Sequence, residues 1–124
     1  MESALYATDL EAAKSFYQSV LGLDLIQYDP ARSAIFRCAD SVLLIFNPEQ
    51  TILADKAAPA HGAKGPGHVA FRVDRFEIPD WRGRLIRANI RIEDEVDWSN
   101  GARSIYFRDP AGNLLEFVTP ELWK

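Results

Sequence analysis

A short, largely apolar segment typical of a β-strand occurs twice in this 124-residue sequence, and only the second occurrence contains a charged residue. Residues 43–46 read Leu-Leu-Ile-Phe, residues 114–117 read Leu-Leu-Glu-Phe, and a Pro-Glu pair follows shortly after each. A carboxylate inside an apolar strand costs several kcal/mol unless a metal ion, a cation or hydrogen bonds compensate for it. The pattern therefore predicts two similar halves and identifies Glu116 as the first candidate functional residue.

The order of predicted elements also repeats. Apolar alternation and helical spacing predict strand, helix and three strands in each half: 2–7, 10–21, 23–28, 34–38 and 42–46, then 68–73, 78–89, 90–93, 102–107 and 113–118. Thr8 and Glu11 match a capping box at the start of the first helix. We therefore predict an α+β fold in which residues 1–124 form one domain. Its two βαβββ modules, about 1–47 and 67–124, are joined by a loop at 48–66 that is long enough to act as a lid.

Composition narrows the class of protein. The net charge is −4 with both signs well mixed, which argues against nucleic acid and anionic membrane as partners. Cys38 is the single cysteine and cannot form an internal disulfide, which is typical of a reducing compartment. No apolar run approaches the roughly 18 residues of a membrane span, and no signal peptide is recognised. These features predict a soluble, cytoplasmic protein.

If the two halves pack around a pseudo-twofold axis, Glu2, His68 and Glu116 are predicted to converge on one face of a curved sheet. The first strands place Glu2 opposite His68, and the last strands place Ile45 opposite Glu116. One imidazole and two carboxylates suit a divalent ion such as Mn²⁺, Fe²⁺, Ni²⁺ or Zn²⁺. Simpler roles remain open: Glu2 as a solvated terminal residue, His68 as a structural hydrogen-bonding group, and Glu116 in an ion pair with Arg37, Arg72 or Arg103.

Several segments carry a resemblance to a known family. They are Asp-Leu-Glu-Ala-Ala at 9–13 with Phe-Tyr at 16–17, Leu-Gly-Leu at 21–23, Gly-His-Val-Ala-Phe at 67–71, and Tyr-Phe-Arg-Asp-Pro-Ala-Gly-Asn-Leu-Leu-Glu at 106–116. In order and spacing the chain resembles the vicinal oxygen chelate superfamily, which includes glyoxalases, bleomycin-resistance proteins and extradiol dioxygenases. The resemblance covers nearly the whole chain.

The resemblance implies a cupped mixed β-sheet with helices on its outer face, a homodimer, and metal ligands on the first and last strands of each module. By position these ligands are Glu2, His68 and Glu116. The fourth position, near residues 43–46, holds no donor, which argues against the glyoxalase I reaction. The leading hypothesis is a metal-dependent enzyme, a lyase or dioxygenase, that acts on a small oxygen-chelating substrate. The alternative is a metal-free protein that binds and sequesters small molecules, as bleomycin-resistance proteins do.

Strand alternation indicates which side chains accompany the ligands. Tyr6 shares a face with Glu2, and Arg72 shares a face with His68, so both are predicted to contact substrate. Arg72 can pair with an anionic group of the substrate or neutralise a carboxylate. The sequence does not identify a general base; Tyr6 and His61 are distant candidates, and His61 is expected to be exposed in its loop. Trp98 and Trp123 are candidates for a subunit interface.

Overall fold

Two four-stranded mixed sheets, each with a helix between its first two strands, make up the fold. The computed structural model describes residues 1–53 and 59–123. The chain divides into a first unit, Met1–Gly67 with Pro110–Asn113, and a second unit, His68–Asp109 with Leu114–Lys124. The predicted α+β fold of two βαβββ modules is confirmed.

The first unit contains β1 (Glu2–Tyr6), α1 (Leu10–Ser19), β2 (Asp24–Asp29), β3 (Ser33–Cys38), β4 (Ser41–Phe46) and a short helix α2 (Pro48–Thr51). Its strand order is β1-β4-β3-β2, with β1 parallel to β4 and the other pairs antiparallel. Helix α1 packs on this sheet through its apolar stripe. At the centre of that contact the rings of Tyr17 and Phe36 lie 5.4 Å apart.

The second unit contains β5 (His68–Arg72), a 3-10 turn (Arg75–Glu77), α3 (Ile78–Arg87), β6 (Asp94–Asp97), β7 (Arg103–Arg108), β8 (Leu114–Val118) and a final 3-10 turn (Pro120–Trp123). Its strand order, β5-β8-β7-β6, repeats that of the first unit. Phe117 joins the core, with its ring 4.9 Å from Phe107 and 4.6 Å from Trp81 of α3. Because successive strand residues point to opposite faces, Glu116 faces away from this aromatic cluster.

The capping box predicted from Thr8 and Glu11 is wrong. Asp9 is the cap of α1, since its side chain accepts a hydrogen bond from the Ala12 N–H at 3.0 Å. The Asp9 carbonyl also accepts the first helical hydrogen bond, from the Ala13 N–H at 3.1 Å. The helix therefore begins one residue later than the motif indicates.

The strand predicted at 90–93 is displaced along the chain. Helix α3 ends with Asn89 in the left-handed region, at φ 59°, and with a hydrogen bond from the Ile90 N–H to the Leu85 carbonyl. Regular pairing with β7 starts at Asp94 opposite Tyr106. The residues between helix and strand are used to turn the chain, so the strand covers 94–97 instead.

The register of the parallel pairs corrects the alignment of the two halves. Ala70 of β5 lies opposite Glu116, whereas Ala4 of β1 lies opposite Leu44. The counterpart of Glu116 is therefore Leu44 and not Ile45. Aligning the similar segments 43–46 and 114–117 by sequence gave a register that is wrong by one residue, because strand pairing rather than sequence similarity sets the register.

The predicted loop 48–66 contains α2, and its residues 54–58 lie outside the described residues. Among the described residues, no helix combines the length and apolar character that crossing a bilayer requires.

Candidate metal centre

His68 and Glu116 of the second unit, two of the predicted ligands, lie next to each other. His68 begins β5 and Glu116 lies in the middle of β8, and these two parallel strands are hydrogen-bonded neighbours. The His68 Nε2 atom is 3.3 Å from the Glu116 Oε1 atom. The carboxylate is 5 % exposed, while the imidazole is half-exposed. The pair thus combines a buried acidic group with a nitrogen ligand that solvent can reach.

The orientation of His68 is set by its own strand pair and by one ring contact. Its Nδ1 atom is 3.0 Å from the carbonyl oxygen of Leu114. A carbonyl oxygen can only accept, so Nδ1 carries a proton and donates it. The imidazole also stacks on Tyr106, with ring centroids 6.4 Å apart and planes at 28°. The Nε2 atom is therefore the one directed at Glu116.

The Glu116 carboxylate contacts the hydroxyl of Ser104 and the imidazole of His68. The Ser104 hydroxyl donates to Glu116 Oε2 at 2.5 Å, and the Trp98 indole N–H donates to the Ser104 oxygen at 2.9 Å. Within the described residues, none of the arginines considered in the sequence pairs with this carboxylate. The alternative of an internal Arg–Glu116 ion pair is therefore wrong.

Like Ser104 and Trp98, Tyr106 belongs to this site and was not identified from the sequence. It lies opposite Glu116 on β7, and its pKa is raised, first by burial and then by the negative charge of Glu116. The phenol is thus kept neutral and able to donate a proton at the pair. The alternation Ser104-Ile105-Tyr106 was the available signal, since it places the serine and the tyrosine on one strand face.

Glu2, the third predicted ligand, lies in the first unit. It is exposed at the start of β1 and pairs with Val42, just as His68 at the start of β5 pairs with Leu114. The structure therefore brings together two of the three predicted ligands, His68 and Glu116. Within residues 1–53 and 59–123, no group of three or more His, Cys, Asp or Glu side chains is placed to hold a metal ion.

Tyr6 lies beside a cavity of about 740 Å³ in the first unit. Most of the residues that line the cavity are alanine, proline or glycine. The larger side chains are those of Tyr6, Thr8, Glu49, Ile52 and Lys64, and the others are Ala7, Pro48, Gly62, Ala63, Gly65, Pro66, Pro110 and Ala111. Its size is that of a small-molecule site. The position of Tyr6 is thus compatible with its predicted contact with substrate.

His61 is not exposed as expected. It is half-buried, with its ring 4.7 Å from Phe46, and its Nδ1 atom is 2.9 Å from the Tyr6 hydroxyl. A hydrogen bond from its own N–H to the Thr51 carbonyl holds the loop at this position. Loop composition indicated exposure, but the aromatic contacts and this backbone bond bury the ring.

Arg72, the other predicted substrate contact, is exposed at the end of β5 opposite Val118. It shares a strand face with His68, since the two are four residues apart. Its side chain has no hydrogen bond or ion pair within the part of the chain that the structure describes.

With this fold and this pair in place, the class of protein is defined by comparison. The chain belongs to the Glyoxalase/Bleomycin resistance protein/Dioxygenase superfamily, whose sequence model matches residues 2–117. The family resemblance read from the sequence is therefore confirmed.

Individual relatives agree with this assignment. The crystal structure of lactoylglutathione lyase from Agrobacterium tumefaciens is 41 % identical, covers 99 % of this chain and 94 % of its own, and has a TM-score of 0.96. A glyoxalase/bleomycin resistance protein/dioxygenase from Nocardioides is 27 % identical over 96 % of this chain and 81 % of its own, with a TM-score of 0.75. Metallothiol transferase FosB of Lysinibacillus sphaericus (strain C3-41) is 28 % identical over 93 % of this chain and 77 % of its own.

Proposed function

We propose that this protein is a metal-dependent enzyme of its superfamily that acts on a small substrate through adjacent oxygen atoms. His68, Glu116 and Glu2 would hold a divalent ion such as Mn²⁺, Fe²⁺, Ni²⁺ or Zn²⁺. The observation that carries the proposal is the paired arrangement of His68 and Glu116.

The proton on His68 supports a cation between the two side chains. Because Nδ1 donates to the Leu114 carbonyl, the neutral imidazole has a lone pair on Nε2. That lone pair and the lone pairs of Glu116 Oε1 lie on atoms only 3.3 Å apart. Either a second proton on Nε2 or a metal ion bound to both atoms removes the repulsion. A histidine fixed through its other nitrogen is the usual arrangement at metal sites.

The separation of the two atoms also fits a shared metal. Zinc-type bonds to nitrogen and oxygen are about 2.0–2.2 Å long, so neighbouring ligand atoms at angles of about 90–110° lie roughly 2.9–3.5 Å apart. The observed distance of 3.3 Å falls within that range. The spacing of β5 and β8 thus supports binding of one ion by both side chains.

Glu2 is proposed as the third ligand from its strand position. It occupies the first residue of β1 as His68 occupies the first residue of β5, in the same parallel register. Its exposed carboxylate is free of partners within the described residues. In the first unit the position equivalent to Glu116 is Leu44, which has no donor atom, so a fourth protein ligand is not proposed.

When bound, the metal would act as a Lewis acid that polarises a substrate oxygen or lowers the pKa of a bound hydroxyl. The residues of the chain supply the rest. Glu116 is held as an acceptor by Ser104, and the neutral Tyr106 phenol can donate a proton to a developing negative charge beside it. Arg72 would bind an anionic group of the substrate, and Tyr6 would contact the substrate body.

The A. tumefaciens relative suggests the first substrates to try. Its name designates lactoylglutathione, whose lactoyl group has a hydroxyl and a carbonyl oxygen on adjacent carbons. Such 2-hydroxyacyl thioesters can chelate a metal through two oxygens. We propose them as the first chelating compounds to test for binding, since the missing fourth donor argues against the glyoxalase I reaction itself. Catechols are the class that a dioxygenase would require.

Elemental analysis of the purified, metal-supplemented protein tests the site. We expect close to one metal per chain in the parent, and loss of the metal in Glu116→Gln and His68→Gln. Glu2→Gln should bind more weakly, and Glu49→Gln, an exposed glutamate of α2, is the matched control that should bind as the parent does. A parent without metal after supplementation with all four ions contradicts the proposal.

The cavity in the first unit favours a second function, metal-free binding of small molecules. A volume of about 740 Å³ with mainly apolar walls suits a drug-sized ligand. Bleomycin is the probe of choice, given the name of the superfamily. Binding that EDTA leaves unchanged and that Ala63→Trp, which fills the cavity, abolishes would favour this function over the enzyme.

A homodimer and a reducing compartment complete the proposal. Phe76, Ile86 and Trp123 of the second unit are 78 %, 60 % and 83 % exposed, and such side chains are suited to contact with a second copy. Light scattering at two protein concentrations tests this. The single Cys38 is compatible with a cytoplasmic location, and fractionation of cells that express the protein tests that location.

A further inference from the structure

A chain of hydrogen bonds leads from an indole to the carboxylate of Glu116. The Trp98 Nε1–H group donates to Ser104 Oγ at 2.9 Å, and Ser104 Oγ–H donates to Glu116 Oε2 at 2.5 Å. Ser104 is fully buried and Glu116 nearly so, which limits competition from bulk water.

The direction of this chain is set by what each group can do. An indole N–H is only a donor, so the Ser104 oxygen must act as its acceptor. A serine hydroxyl has one proton, and here that proton goes to Glu116 Oε2. An ionised carboxylate only accepts, so the chain ends there. The two oxygens of Glu116 are therefore in different environments: Oε2 faces a hydroxyl and Oε1 faces His68 Nε2.

We infer that Ser104, oriented by Trp98, is a positioning residue that fixes the Glu116 carboxylate with Oε1 directed at His68 for metal binding. The inference rests on the proposed metal site and deepens it. Because Oε2 accepts the proton of the Ser104 hydroxyl, the carboxylate cannot rotate away from this orientation without breaking a short, buried hydrogen bond. The carboxylate is thereby held ready before metal arrives, and little order has to be gained on binding.

The local structure explains how Trp98 reaches this position. Trp98 follows the last residue of β6, and a tight turn to β7 is closed by hydrogen bonds from the Gly101 N–H to the Trp98 carbonyl and from the Trp98 N–H to the Ala102 carbonyl. Gly101 has a φ of 88°, in the left-handed region that favours glycine. Ser104, two residues beyond Ala102, shares a strand face with Tyr106 and hence with Glu116 opposite it.

Metal titration of Ser104 variants tests the inference with a readout independent of activity. The probes are Mn²⁺, Ni²⁺ and Zn²⁺, each titrated by calorimetry into the metal-free full chain. Ser104→Ala should weaken binding about tenfold or more, the effect usual for loss of a group that orients a ligand. Ser104→Thr, which keeps the hydroxyl, should restore most of the affinity. Ser33→Ala is the matched control, a buried strand serine of the first unit.

A second variant keeps the test decisive if Ser104→Ala folds poorly. Trp98→Phe removes the N–H donor and keeps an aromatic ring, so it should weaken metal binding by about threefold to tenfold, less than loss of the serine itself. In the metal-free protein, the ¹⁵N–¹H signal of the Trp98 indole should shift in Glu116→Gln, because the hydroxyl that accepts from it changes partner. A merely structural role for Ser104 would leave the metal affinities of Ser104→Thr and Ser104→Ala equal, whereas the indole signal tests only the hydrogen-bond chain itself.

The outcomes separate the two proposals. If the parent binds metal and Glu116→Gln does not, while Ser104→Ala binds as tightly as the parent, the positioning role is overturned and the metal site stands. If Ser104→Ala and Trp98→Phe both weaken binding and Ser104→Thr restores it, the positioning role is established. A parent that binds none of these three ions, and that also holds no iron after supplementation with Fe²⁺, overturns both.

Discussion

Tyr106 is the residue through which the charge of Glu116 can be measured. Burial and the neighbouring carboxylate both raise the pKa of its phenol. In Glu116→Gln the carboxylate contribution is lost and the burial contribution remains. We expect the Tyr106 midpoint in an absorbance titration at 295 nm to fall towards 10 without reaching it. Tyr106→Phe identifies the transition, and an unchanged midpoint would mean that the two groups do not interact.

Asn113 holds together three segments of the first unit. Its side-chain carbonyl accepts from the Gly67 N–H at 2.8 Å, and its amide donates to the Tyr6 carbonyl at 3.1 Å. The side chain is 1 % exposed. Asn113→Ala therefore leaves buried backbone groups without these partners and should lower the free energy of unfolding by about 2–4 kcal/mol.

Urea unfolding measures that loss. Asn113→Asp is a second variant of nearly equal size: it keeps an acceptor for Gly67 but places a buried carboxylate against the Tyr6 carbonyl oxygen, so it should also destabilise the protein at neutral pH. Gly67→Ala is a second probe of the same place, since a Cβ there would lie 2.9 Å from the buried Leu5 Cδ2. Equal stabilities for the parent and Asn113→Ala would contradict the role of this residue.

At the scale of elements, α3 is tied to the edge strand β6 of its sheet by an ion pair, in which β7 also takes part. Arg82 of α3 contacts Glu95 of β6, with Nη2 2.5 Å and Nε 3.1 Å from Oε1, and Arg103 of β7 lies 3.3 Å from the same oxygen. The hydrogen bond from Arg82 is the largest cause of a lowered pKa at Glu95. The negative form of Glu95 is thus favoured in the folded protein.

This pairing predicts how stability depends on pH. A carboxylate with a lowered pKa contributes stability above its ordinary value of 4.5 and loses that contribution as the pH falls through its lowered value. Because about a third of each side chain is exposed, we expect Glu95→Gln to cost at most about 1 kcal/mol near neutral pH. The difference from the parent should shrink below pH 4.5. Unfolding curves from pH 7 to 3 measure it, and a difference that stays constant with pH would rule out this pair as its source.

For the whole molecule, metal binding should appear as added stability. A ligand that binds only the folded state at one hundred times its Kd adds about 2.7 kcal/mol. For a chain of this size the thermal midpoint should rise by roughly 10 °C. Glu116→Gln should show no such rise, while Glu49→Gln should behave as the parent does. A rise of equal size in Glu116→Gln would place the bound ion elsewhere in the protein.

Part of the site could be predicted from the sequence. Glu116 stood out as a charge in an apolar frame, and His68 stood out at the start of the matching strand of its half. Ser104 and Trp98 carried no comparable signal, because a serine in a strand and a tryptophan in a turn are compatible with many roles. The partner of Glu116 was also open, since three arginines were equally plausible from spacing alone.

The positions of the helices and strands follow from neighbouring residues, whereas the register between strands was decided by the tertiary structure. Apolar periodicity, Gly22 after the first helix and the turn residues 108–113 are properties of neighbouring residues, so the sequence by itself was enough to predict two βαβββ modules and their family. Register is different, because a shift of one residue costs little locally and exchanges the two faces of a strand. Only the folded sheets could establish that Leu44, not Ile45, is the counterpart of Glu116, and that His68 and Ser104, distant along the chain, meet its two oxygens.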